Sequence, residues 1–82
     1  MSQWDKLLQK LYSQPKDLRF RDLQEILEYY GYRMEQPRRG GSHYTFRKEG
    51  SPSITIPKAK FIRMPYILMV REIVEANEYE RS

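Results

Sequence analysis

The spacing of apolar residues changes at Gly31, and that change limits what this chain can fold into. Before it, Trp4, Leu7, Leu8 and Leu11, and then Leu23, Ile26, Leu27 and Tyr30, recur at three- and four-residue intervals, which is the stripe of an amphipathic helix. After it, Tyr32 and Met34, Tyr44 and Phe46, and Ile54 and Ile56 alternate with polar residues, the period of a strand with one buried face. The first helix starts after Ser2 and is stopped by Pro15. The second ends at Gly31, because glycine takes at little cost the left-handed conformation that closes a helix. Residues 32–36 then read as a first strand, 37–41 as a loop, and 43–48 as a second strand. Residues 49–52 read as a hairpin turn, and 53–56 as a third strand closed by Pro57. Pro65 suits the first turn of a last helix, whose apolar stripe is Tyr66, Met69, Val70, Ile73 and Val74. The expected fold is α+β, in the order α-α-β-β-β-α, with a three-stranded antiparallel meander covered by helices on one face. Residues 77–82 are expected to fray.

A chain of 82 residues with 39% apolar residues makes one small domain with a single core. Charged residues make up 32%, and no run approaches the roughly 18 apolar residues of a membrane-spanning helix. The start Ser2-Gln3-Trp4-Asp5 does not read as a signal peptide. The absence of cysteine excludes a disulfide framework and thiolate metal sites, and suits the cytoplasm. One histidine is too few for a dedicated transition-metal site, and no cofactor motif is present.

The charge is unevenly distributed. Residues 33–63 hold Arg33, Arg38, Arg39, Arg47, Lys48, Lys58, Lys60 and Arg63 against Glu35 and Glu49, a net +6, whereas the flanks together carry −2 of the chain's +4. Such a middle suits an anionic partner, although a solvated basic face has the same composition. Strand alternation assigns the sides. If Tyr44 and Phe46 face the helices, then His43, Thr45 and Arg47 share the uncovered face with Arg33 and Thr55.

That face suits a phosphodiester. Guanidinium forks match phosphate oxygens, and Arg38, Arg39, Lys58 and Lys60 at the margins widen the electrostatic footprint. Lys48 joins them only if strand twist brings it round. Gly40 and Gly41 let the backbone come close to a ligand or adopt positive φ. His43 is the chain's one imidazole, a group that moves protons near neutral pH. In RNA the 2′-hydroxyl is a built-in nucleophile, so cleavage needs a proton acceptor, a proton donor and charge stabilisation, with no metal required. Ser42 cannot form a triad with His43, because neighbours in a strand point to opposite faces. From the residues alone, His43 is either this proton-transfer group or an ordinary polar residue at a strand edge. Three functions stay open: a ribonuclease, a non-catalytic RNA- or DNA-binding module, and a domain that binds an acidic protein.

The stretches Phe20-Arg21-Asp22-Leu23 and Leu27-Glu28-Tyr29-Tyr30-Gly31-Tyr32, followed by Gly41-Ser42-His43-Tyr44 and Ile54-Thr55-Ile56-Pro57, resemble the HicA family of bacterial toxins across about residues 17–76. The resemblance implies a fold similar to the double-stranded-RNA-binding domain and a metal-independent messenger-RNA interferase without cofactor. It also implies that His43 is the catalytic residue and that a HicB-like antitoxin is the partner. Residues 1–16 are then an additional N-terminal helix outside the resembling core, free to cap the sheet edge or to add to the partner interface. The pattern departs from the family at Lys58-Ala59-Lys60, where many relatives carry a second histidine.

Overall fold

The three helices are α1 (Gln3–Ser13), α2 (Phe20–Tyr29) and α3 (Met64–Arg81), and the three strands are β1 (Arg33–Glu35), β2 (His43–Arg47) and β3 (Ile54–Pro57). The structure is a computed structural model that describes residues 2–81; the side chains of Arg38, Glu80 and Arg81 lie outside the description. The element order is the expected α-α-β-β-β-α, and the sheet is an antiparallel meander in the order β1-β2-β3.

The helix ends follow from local chemistry. Ser2 caps α1 by accepting from the Asp5 amide at 3.2 Å, and Asp5 returns the contact to the Ser2 amide at 3.4 Å, a capping box that satisfies orphan N–H groups. At the start of α2, Asp22 Oδ2 accepts from the Arg19 amide at 2.9 Å. At its end, Gly31 lies at φ +94°, its amide donates to the Glu28 carbonyl, and the Tyr32 amide reaches back to the Leu27 carbonyl at 3.0 Å. This paired closure requires a left-handed residue, which glycine supplies without strain. The hairpin between β2 and β3 is tightened by Ser51 N–H donating to the Lys48 carbonyl at 3.1 Å, with Gly50 at φ +80°.

One apolar cluster joins all the layers. Phe46, Ile54 and Ile56 project from the sheet, Leu23, Ile26 and Leu27 from α2, Ile67, Val70 and Val74 from α3, and Leu7 and Leu11 from α1. Fourfold ladder pairing fixes the sides: Tyr44 opposes Ile56 and Phe46 opposes Ile54, so the inward residues of β2 and β3 meet under the helices.

One expectation about local structure is corrected. Met69 is exposed, and Ile67 takes the buried place in α3, because Ile67, Val70 and Val74 lie at three- and four-residue spacing on one side of the helix. Helix α3 runs to Arg81, and Glu78 accepts a hydrogen bond from the Tyr30 hydroxyl at 2.7 Å; Ser82 lies outside the described residues. Helix α1 packs on the other helices. Trp4 stacks on Tyr29 at 4.0 Å between ring centroids, and Arg71 Nε donates to the Leu11 carbonyl at 3.0 Å.

Candidate nucleic-acid interface

The uncovered face of the sheet is organised in three rows by the strand register. Arg33 stands opposite Arg47, Glu35 opposite Thr45 and Thr45 opposite Thr55, and His43 opposite Pro57. His43, Arg33, Arg47 and Thr55 are exposed, and Thr45 is half-buried between its neighbours. The Thr45 and Thr55 hydroxyls share a hydrogen bond at 3.1 Å. The expected polar face therefore exists, with His43 at one end of it and no hydrogen-bond or ion-pair partner for the His43 imidazole among the described residues.

The register also separates residues that the sequence grouped together. Four residue steps of extended strand separate His43 from Arg47, about 13 Å at 3.3 Å per residue. His43 and the Arg33–Arg47 row therefore stand apart along the sheet, and the arginines are placed for a flanking phosphate rather than the one at His43. Arg47 is moreover occupied, because its guanidinium pairs with Glu35. Two arginines directly opposite on one face repel, and the Glu35 carboxylate, two residues from Arg33 on β1 and diagonal to Arg47, relieves that repulsion. Glu35 was predictable as a member of this face: it lies two residues from Arg33, and alternation puts both on the same side.

Lys48 is a correction. It lies on the helix-covered side, where its ammonium donates to Asn77 Oδ1 at 3.1 Å and sits 5.6 Å from the centre of the Tyr32 ring. Strand parity puts Arg47 and Lys48 on opposite faces, and the twist does not bring Lys48 round.

The segment leading into β2 is close to His43. Residues Arg38–Gly40 form a tight turn, with Arg39 at φ 59° and Gly40 at φ 69°. Two successive left-handed residues turn the backbone sharply; Gly40 does so freely, whereas Arg39 is under steric strain there. Arg39, Gly40 and Gly41 are exposed. Arg38 belongs to the turn, but its side chain is outside the description.

Lys58 and Lys60 follow β3. The Lys58 amide donates to the Ser42 carbonyl at 2.6 Å, next to the His43–Pro57 pair. Its side chain turns toward the helix side, with the ammonium 5.9 Å from the Phe20 ring centre and 5.6 Å from that of Tyr44. Lys60 lies over Phe61 at 5.7 Å. Both lysines line a groove of about 690 Å³ against the start of α2, together with Arg19 and Arg21. The sequence reading missed Arg19 and Arg21, because they sit in a segment whose charges cancel.

Among the described residues, no three His, Asp or Glu side chains converge as a metal site would require, and no helix is long and apolar enough to cross a membrane. Comparison with protein-family models, curated proteins and solved structures returns no match.

Proposed function

We propose that this protein is a HicA-like endoribonuclease, the toxin of a toxin–antitoxin pair, that binds RNA on the uncovered sheet face and transfers a proton through His43. The observation that carries the reading is the position of His43: exposed at the end of β2, without an ion-pair partner among the described residues, and flanked by the left-handed turn that presents Arg39. An imidazole in that position can accept the proton of a 2′-hydroxyl or return one to the departing 5′-oxygen. The cations of the 38–41 segment would offset charge on the phosphate, and the exposed Gly40-Gly41 backbone would let it approach. Arg33 serves a neighbouring phosphate. The chemistry uses the RNA's own hydroxyl and draws on no cofactor. The proposed setting is the cytoplasm, with messenger RNA as substrate and a HicB-like protein that silences the toxin by covering the His43 face.

The test compares wild type with His43→Ala in RNA cleavage, RNA binding and thermal melting. Removal of an exposed side chain leaves no core cavity, so stability should change by no more than about 0.5 kcal/mol. Cleavage should fall by about 10² to 10⁴-fold, while affinity persists through the arginines and lysines. A variant that melts normally and cuts RNA at the wild-type rate would make His43 an ordinary strand-edge residue. RNA binding without cleavage by the wild type would leave a binding module on the same face.

A further inference from the structure

The groove beside α2 is the second cationic feature of the molecule, and it begins where the candidate site ends. Lys58 is the residue after Pro57, the strand partner of His43, and is tied to Ser42 through its backbone. A nucleic-acid strand whose phosphate lies at His43 needs only to pass the end of the β2–β3 hairpin to meet the Lys58 ammonium.

The groove's charges are unequally occupied. Of its carboxylates, Glu25 is held by Arg21 at 3.5 Å and Glu28 accepts from Gln24 at 3.3 Å. Arg19 is fixed by donating to the Lys60 carbonyl at 3.1 Å, which holds the Lys60 segment against the start of α2. Lys58 and Lys60 have no ion pair among the described residues; their ammoniums rest over aromatic rings. An exposed cation–π contact is weak, and a phosphate oxygen with a full negative charge readily draws the ammonium from it. The exposed lysines and their fixed backbone thus make a track for a polyanion, leading away from His43 on the helix side of the hairpin.

We propose that this groove, through Lys58 and Lys60, binds the phosphates of single-stranded RNA next to the cleavage point, so that the RNA wraps round the end of the hairpin. A single strand can make this bend where a stiff duplex cannot. The proposal rests on the ribonuclease reading, because that reading places the first phosphate at His43.

The experiment measures binding of single-stranded oligouridylates by His43→Ala protein, which keeps the probe intact, with and without Lys58→Ala and Lys60→Ala. A short and a long oligonucleotide are compared across a salt series. The proposal expects the double lysine variant to lose affinity for the long probe and to flatten its log affinity–log salt slope by about 1.4, the value for two single-strand phosphate contacts. Binding of the short probe should change much less. Equal loss for both lengths means that only net charge matters, and overturns the groove. No loss for either length also overturns it, and leaves the groove's cations to an acidic polypeptide. If His43→Ala protein binds neither probe, the ribonuclease reading fails with it. If it binds both and the lysine variants leave both unchanged, the groove alone fails.

Discussion

Glu35 sets the charge of the candidate face. It neutralises Arg47 while Arg33 stands directly across the ladder, so the face is less cationic than its arginines suggest. Both members of the pair are exposed, and an exposed pair contributes little to stability. On the proposed function, its effect is expected in RNA binding. Glu35→Gln should free Arg47 for a phosphate and steepen the log affinity–log salt slope for single-stranded RNA by about 0.7, with melting nearly unchanged. The check is RNA binding across a salt series with matched melting curves. An unchanged slope would show that RNA does not reach the Arg33–Arg47 row and stays near the His43 end. His43 itself is separated from that row by the pitch of one strand, a distance set by backbone geometry and not by side-chain choice.

At the level of elements, α1 is joined to the rest of the fold by a small polar cluster as well as by Leu7 and Leu11. The Tyr12 hydroxyl donates to Glu75 at 3.2 Å, and the Arg71 guanidinium lies 5.3 Å from the Tyr12 ring centre. Burial, then the hydrogen bond and negative charge of Glu75, raise the phenol's pKa above its ordinary 10.0, with Arg71 acting in the opposite direction. The folded state therefore keeps the proton at pH values where the unfolded chain has begun to lose it. The resulting stability is present below the unfolded value and is lost as pH rises through 10 and beyond. Thermal melting of wild type and Tyr12→Phe between pH 8 and 11 isolates this contribution: the wild type should lose stability relative to the variant only in the alkaline part. A difference that does not vary with pH would show that Tyr12 titrates alike in both states. The elements themselves were largely legible from the sequence, because period, Pro15, Gly31 and Pro57 each mark a physical boundary. What was not legible needed three dimensions. Met69 and Ile67, two residues apart, lie on nearly opposite sides of one helix, and only the packing direction of α3 chooses between them. Glu78 is ordered by a tyrosine 48 residues away. On the candidate face, alternation placed His43, Thr45, Arg47 and Arg33 on one side, but the Glu35–Arg47 pair and the groove at Arg19 depended on register and tertiary approach.

The whole molecule separates its charges. The cations of residues 33–63 gather at the open face and round the end of the hairpin, while α3 carries Glu72, Glu75 and Glu78 on the covered side. Lys48 leaves the cationic surface for Asn77, and Arg47 is held by Glu35. Arg63 apart, this leaves Arg33, Arg38, Arg39, Lys58 and Lys60 at the open face, the turn and the groove, with Arg38 included from its place in the turn. On the proposed function each phosphate they neutralise releases counterions, so affinity for single-stranded RNA is expected to fall as salt rises. Five such contacts give a log–log slope of about −3.5. The same slope is expected for His43→Ala, since the imidazole is proposed to transfer a proton and is not one of the five cations. Lys48→Ala should also leave the slope unchanged, because that ammonium faces the helices. Titration of a labelled oligoribonucleotide against each protein over a salt series checks all three values. A wild-type slope near zero would show that RNA affinity does not come from phosphate neutralisation, and a slope that flattens in Lys48→Ala would mean that RNA reaches the helix-covered side beside α3.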